Sequence, residues 1–218
     1  MSSKTSTAAP SETYLDLLMI VYGSTASDPL DDSRFCGEGQ RRVEVRLAPA
    51  IPPDAATSLR RRQEWAHKLA QRTTLDMKHS QAWHCEFCDK LARESFVQNA
   101  GWFHLDPPKL NIYVHLVCNS VVGPCAARLR ETADLFAEQS GGGPDPHKRM
   151  PDRFAPAHRF PPAASCLCCQ AEQTVGKELK RCGACKLVRY CSAACQKEDW
   201  GRHKATCKAI KEVKWVWK

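Results

Sequence analysis

A small α+β fold in two parts, stapled by bound metal more than by a large core, is predicted by three features of this 218-residue sequence. Thirteen cysteines are present, several in pairs with two residues between them. Apolar runs of helical and of strand period occupy residues 11–138, with a candidate zinc site at 83–138. A stretch rich in glycine and proline, residues 139–165, then separates them from a cysteine-dense segment at 166–207. With 43% hydrophobic and 26% charged residues, the chain can bury a modest core as one domain or two small ones.

Thirteen cysteines mean disulfides, metal sites or reactive thiols, and the compartment decides among them. The first apolar stretch, 14–22, has no basic leader, contains Asp16 and is too short to span a bilayer. Neither export nor a membrane role is supported, so the expected setting is intracellular, nucleus or cytoplasm undetermined, with thiols reduced and free to bind metal. The formal charge of +8 counts every cysteine as neutral. Two zinc sites using seven thiolates would lower it to about +5, and a third with three thiolates to about +4. The remaining basic bias is a weak argument for nucleic acid.

Residues 1–10 are small and polar and are expected to be disordered. Tyr14, Leu17, Leu18, Val21 and Tyr22 fall at i, i+3, i+4, i+7 and i+8, which predicts a helix ended by Gly23. Arg42 to Leu47 alternate as a short strand, closed off by Pro49, Pro52 and Pro53. A second helix is expected from an N-cap at Ser58 through Trp65 and Leu69 to the region of Asp76. Its Arg60, Arg61 and Arg62 read as a solvated face rather than a nuclear address.

Cys85 and Cys88 form a C-x2-C pair, and His115, Cys118 and Cys125 follow after a gap. Leu110, Ile112, Val114 and Leu116 alternate as a strand, and Pro124 opens a helix carrying Leu129, Ala133 and Phe136. Knuckle, strands and helix is the order of a treble-clef zinc site. The expected ligands are Cys85, Cys88, His115 and Cys118, with Cys125 able to replace His115; the alternative is a small core with buried thiols. Trp83, Phe87, Trp102 and Phe103 pack this unit in either case, and His84 and His104 are read as ordinary surface or core residues.

The segment 166–207 has the spacing C-x2-C-x12-C-x2-C-x5-C-x3-C-x7-H-x3-C. Each C-x2-C lets a sharp turn bring two sulfurs to one ion, and Cys191 with Cys195, or His203 with Cys207, lie one helical turn apart and face one way. Eight ligands make two complete tetrahedra with none left to be replaced by water, which points to structural zinc. A segment this short cannot bury enough apolar surface to fold alone, whereas each structural zinc contributes on the order of 10 kcal/mol.

Cys166, Cys169, Cys182, Cys185, Tyr190-Cys191-Ser192, Cys195-Gln196, Trp200, His203 and Cys207 closely resemble the MYND finger family. The resemblance implies a cross-brace, with Cys166, Cys169, Cys191 and Cys195 on one zinc and Cys182, Cys185, His203 and Cys207 on the other. RING domains need a Cys-x-His step and a final C-x2-C, both missing here. Cys168, inside the first knuckle, reads as a spare thiol, and Tyr190 as miniature core. The resemblance also implies a groove for short proline-rich peptides at Gln196 and Trp200, beside the small residues Gly183 and Ala184. Residues 49–53, Pro-Ala-Ile-Pro-Pro, have a matching rhythm and admit docking on the chain itself or a sister chain, though a proline-bounded loop is the simpler reading.

These features favour a zinc-dependent protein-interaction adaptor that is not an enzyme. The resemblance raises a lysine methyltransferase as an alternative, since some MYND fingers are inserted in SET domains. Only residues 208–218 follow the finger, read as a basic tail, and no SET-type motif is found. A nucleic-acid regulator is the other alternative, drawn from Lys177, Lys180, Arg181, Lys186, Arg189, Lys204, Lys208, Lys211 and Lys214 with Trp215 and Trp217. There is no G-x-S-x-G, H-E-x-x-H or phosphate loop, and Cys36 stands alone in a glycine-containing turn without an identified base.

Overall fold

The run DLLMIVY is a strand, β1 (Asp16–Tyr22), and not the helix its spacing suggests. Leu17, Met19 and Val21 are buried and Leu18, Ile20 and Tyr22 are half-buried, the alternation of a strand with one face on the core. An apolar run this dense satisfies both periods, and pairing with strands on either side decided between them. Gly23 does not cap a helix. A Cβ there would come within 2.7 Å of the Trp83 ring, so the glycine admits that side chain against the backbone.

The computed structural model describes residues 13–26, 40–139 and 160–216. The expectations for residues 1–10, for Cys36, for most of the 139–165 stretch and for Trp217 fall outside them.

β2 (Arg42–Leu47) follows as expected, and a short helix α1 (Pro53–Ala56) precedes α2 (Leu59–Lys78). The Ser58 side chain accepts a hydrogen bond from Arg61 N, the N-cap anticipated for that serine. β3 (Glu94–Trp102) and β4 (Lys109–Val117) form an antiparallel hairpin, and Pro124 opens α3 (Pro124–Gln139). The cysteine-rich segment contributes a two-residue ladder, β5 (Lys180–Arg181) with β6 (Arg189–Tyr190), then α4 (Ala193–Ala209) and β7 (Ile210–Val216).

The main sheet has the order β3-β4-β1-β2-β7, with β1 and β4 parallel and every other neighbour antiparallel. Its principal core lies on the face that carries Leu17, Met19, Val21, Val43, Val45, Ile112 and Val114, covered by Ala66, Ala70 and Met77 of α2 and by Trp83. On the other face Phe136 of α3 meets Tyr113 edge-on at 5.1 Å.

The expected tail at 208–218 is not a tail through its described part. Ile210 follows α4 directly, and β7 pairs with β2 from Ile210 opposite Leu47 to Val216 opposite Arg42. Val213 packs on the core and Trp215 stacks on Trp83 at 6.0 Å. The lysines hid a strand because an edge strand keeps charge on its open side, and here Arg46 meets Glu212 at 3.6 Å and Lys214 meets Glu44 at 3.9 Å. The end of the glycine- and proline-rich stretch is also built in. Ala163 is fully buried and its N–H donates to Ala92 O.

A chain ending at Ala209 would leave β2 unpaired along one edge and uncover Trp83. Its thermal midpoint should fall by about 5 °C or more relative to the full chain, by calorimetry with zinc saturating. A tail with no structural role would leave the midpoint where it is.

Candidate metal centres

Among the described residues, three groups of four side chains each bring their ligand atoms within 4.8 Å of one another. The first is Cys166, Cys169, Cys191 and Cys195, the second Cys182, Cys185, His203 and Cys207, and the third Cys85, Cys88, Cys118 and Cys125. The first two take alternating portions of the segment. Their two knuckles are the same turn twice over. Gln170 N donates to Cys166 O and Lys186 N to Cys182 O, both at 2.9 Å, and Gln170 and Lys186 adopt left-handed φ values of 51° and 57°. The Ser192 side chain caps α4 by accepting from Cys195 N, so the helix starts where Cys195, His203 and Cys207 must line up.

The spacing of the donors fits zinc. Four sulfurs at 2.3 Å from a tetrahedral ion lie about 3.8 Å from one another. The Sγ–Sγ separations are 3.9 Å for Cys169–Cys191, 3.5 Å for Cys191–Cys195, 3.9 Å for Cys182–Cys207 and 3.7 Å for Cys88–Cys118. Cys185 Sγ lies 3.5 Å from His203 Nε2. Without a cation these donors oppose one another's ionisation. Burial and the charges of Cys185 and Cys182 push the Cys207 thiol up to about 12, and the Cys195 contact and burial do the same to Cys191. At Cys185 burial acts in the same direction, but the His203 hydrogen bond and the Leu187 and Val188 N–H groups outweigh it and bring the thiol to about 7. A divalent ion relieves the whole set, since thiolate ligation displaces the protons.

His115 is not in the third group. Cys125, in the first turn of α3, takes the fourth place, the substitution the sequence left open. His115 sits on β4 opposite Tyr22, stacks on that ring at 5.0 Å, and donates from Nδ1 to Glu86 Oε2 at 2.8 Å. With Glu86 buried beside it, the imidazole is already partnered. Four thiolates in place of three would lower the working charge to about +3. Glu86 gave no signal in the sequence beyond lying inside the knuckle.

The metal groups are joined to the sheet by a polar seam at the end of α2. His79 Nδ1 donates to Ser165 O at 3.0 Å, and Arg189, itself buried, donates to His79 O and Ala163 O. Asp76 is fully buried and accepts from His203 Nδ1 at 3.1 Å and from Arg202 Nη2 at 2.7 Å. Asp199 grips the same guanidinium through both oxygens and accepts from Tyr190 OH. Leu75 packs on the finger's own core of Leu167, Leu179, Val188 and Tyr190. Nothing in the sequence marked Asp76 or His79 for this role, because neither falls in a motif.

At the expected peptide face, Gln196 Nε2 lies 3.6 Å from Cys182 Sγ, and Trp200 is half-buried, edge-on to His203 at 6.1 Å. Gly183 and Ala184, which follow Cys182 in the knuckle, are exposed. Residues 49–53 are elsewhere. Ile51 is in the sheet core and its N–H donates to Thr13 O, while Pro49 O accepts from Leu15 N, so this segment is part of the fold and not a loose peptide. The basic face is partly spent as well: Arg189 is in the seam, and Arg181 covers the Trp215 ring at 5.4 Å. Among the described residues no helix is long and apolar enough to cross a membrane.

The MYND finger model matches residues 166–207. Similar stretches occur in SET domain and MYND-type zinc finger protein 6 of Schizosaccharomyces pombe, 44% identical over 50 residues, which is 23% of this chain and 10% of that protein. SET domain-containing protein 14 of Caenorhabditis elegans is 59% identical over 34 residues, 16% of this chain and 8% of that protein. Histone-lysine N-methyltransferase SMYD3 of Homo sapiens is 51% identical over 41 residues, 18% of this chain and 10% of that protein. The chain thus spans about a tenth of the length of these relatives, and the alignments fall on the finger. No solved structure matches the chain. Residues 166–207 are a MYND-type zinc finger, a zinc-binding protein-interaction module.

Two measurements follow. Native mass spectrometry should count three zinc ions on the full chain and on His115→Ala, but two on Cys125→Ala. The second concerns pH. Burial and the Lys78 charge hold His79 down at about 4, against 6.5 when unfolded, so the unfolded chain binds the extra proton between those values. The stability this group confers is complete above pH about 6.5 and lost as the pH falls to about 4, roughly 3 kcal/mol in all. His79→Gln should flatten that part of the urea-derived stability profile relative to the wild type at equal zinc.

Proposed function

We propose that the chain is an intracellular zinc-dependent adaptor without a catalytic reaction of its own, docking short proline-rich segments of partner proteins through its MYND finger. The observation that carries this reading is that Gln196 and Trp200, one helical turn apart on α4, lie against Cys182 and His203 of the second group, while the knuckle residues Gly183 and Ala184 that follow Cys182 are exposed. The Gln196 amide reaches Cys182 Sγ, which fixes it against the knuckle. Trp200 is half-buried on the finger core and offers a rigid apolar wall. An extended proline-rich peptide loses little entropy on docking, and small residues at 183 and 184 let its backbone approach closely.

The zinc arrangement in this reading is a cross-brace in the finger and a treble-clef-like site upstream, where a knuckle, the β3–β4 hairpin and the first turn of α3 supply the donors. Each group has four protein donors, which suits a structural ion with no position kept for substrate. The relatives' names carry SET domains and methyltransferase activity. The alignments support the finger alone, and the finger is what we carry over from them. The basic face supports nucleic-acid binding less well, since two of its members are engaged internally.

The test is a titration of labelled peptides with proline–aliphatic–proline spacing, followed by fluorescence polarisation. Trp200→Ala should weaken the best peptide by about tenfold or more and Gln196→Ala by less, each with the wild-type zinc count. Failure of every such peptide to bind the zinc-loaded chain would remove the reading.

A further inference from the structure

We propose that Asp76, on the long helix of the sheet region, is the outer-sphere partner of His203 and a positioning residue for the second zinc site, so that zinc binding there and docking of the sheet region on the finger form one coupled equilibrium. The inference rests on the finger's zinc and not on peptide docking.

The geometry of His203 carries it. An imidazole that ligates through one nitrogen must carry its proton on the other. Nε2 lies within the ligand group, 3.5 Å from Cys185 Sγ. Nδ1 points the opposite way, to Asp76 Oδ2 at 3.1 Å. Both residues are fully buried, so water cannot substitute for either partner. The second Asp76 oxygen accepts from Arg202 Nη2 at 2.7 Å, and Arg202 is held by both oxygens of Asp199, also at 2.7 Å. Both carboxylate oxygens are therefore partnered and fixed in orientation. A buried carboxylate with neither partner would be strongly destabilising.

Asp76 is delivered by the fold of the other region. Met77 and Ala70 tie α2 into the sheet core, Leu75 packs on the finger core, and His79 Nδ1 donates to Ser165 O, one residue before the first zinc ligand. Carboxylate–histidine–zinc chains fix the tautomer and raise the basicity of the ligand, and their loss typically costs about 10- to 100-fold in metal affinity. Reciprocity requires the converse, that removing this zinc loosens the seam at the end of α2. The first and third zinc groups have four cysteines each and no histidine, so the effect is confined to one ion of the three.

The experiment uses the full zinc-loaded chain and its Asp76→Asn variant, which keeps shape and an acceptor oxygen but loses the charge. Competition with a chromogenic chelator should resolve one ion held about 10- to 100-fold more weakly in Asp76→Asn, with the others unchanged. Cobalt(II) substitution identifies the weakened site, since the absorption of a three-sulfur, one-nitrogen site differs from that of four sulfurs. Unchanged release of all ions from a folded Asp76→Asn would overturn the proposal. If the variant does not fold, nitrogen NMR of histidine-labelled wild type decides: zinc on Nε2 with a slowly exchanging Nδ1 proton upholds the assignment, and zinc on Nδ1 overturns it. On withdrawal of the second group's ion from the wild type, monitored by loss of its three-sulfur, one-nitrogen cobalt(II) absorption, amide exchange over residues 75–80 should accelerate; equal protection with and without that ion would equally sink the coupling.

Discussion

The junction between Ala209 and Ile210 constrains the rest of the molecule. The helix that carries His203 and Cys207 passes without a loop into a strand paired with β2, so the finger is fixed to the sheet by the last residues of its own metal-binding helix. The Ile210 N–H still closes the helix on Thr206 O, while the Ala48 N–H is already donating to Ala209 O. Helix geometry ends and ladder geometry begins within one peptide unit. A finger attached in this way cannot rotate against the sheet without breaking the β2–β7 ladder. The second connection, through Ala163 and Ser165, is tied to the sheet region by Ala92 O and the His79 imidazole.

How much of this was legible in the sequence depended on whether the signal was local. The finger ligands were readable because a tetrahedral ion imposes short, repeated spacings on the chain. The helix from Ser58 was readable because cap and periodicity agreed. The segment 14–22 was misread because its apolar residues satisfied both periods, and only the neighbours β2 and β4, distant in sequence, make it a strand. The same applies to 210–216: alternating lysines and apolar residues describe an edge strand only once β2 is available to pair with it. At the upstream cluster, the choice between His115 and Cys125 was a matter of tertiary placement. Glu86 claims the histidine, and α3 swings the cysteine under the hairpin.

The seam illustrates the cost structure of a small metal-stabilised protein. Asp76, His79, Arg189 and His203 are all buried, a density of polar groups that would be unfavourable in an ordinary core. Most of their polar atoms are paired across the boundary between the two regions, which converts a desolvation cost into a requirement for one relative orientation. His79 Nε2 is the exception, buried with no partner, and burial together with the Lys78 charge disfavours protonation of its imidazole. Hydrophobic contact supplies attraction here through Leu75, Leu187 and Ala209, and the polar network supplies the orientation.

The two zinc groups of the finger differ in a way that divides their roles. Cys169 and Cys191 are exposed, and that group is made of cysteines from the knuckle, the end of the short ladder and the first turn of α4. Cys182, His203 and Cys207 are buried between α4 and the sheet region, with Gln196 and Trp200 directly over them. The wall of the proposed groove therefore stands on the buried site, whose histidine is held from beneath by α2. A groove floor anchored on both sides changes shape little when a peptide arrives, so more of the contact energy is retained as affinity. The exposed site joins the first knuckle to the start of α4 through Cys191 and Cys195.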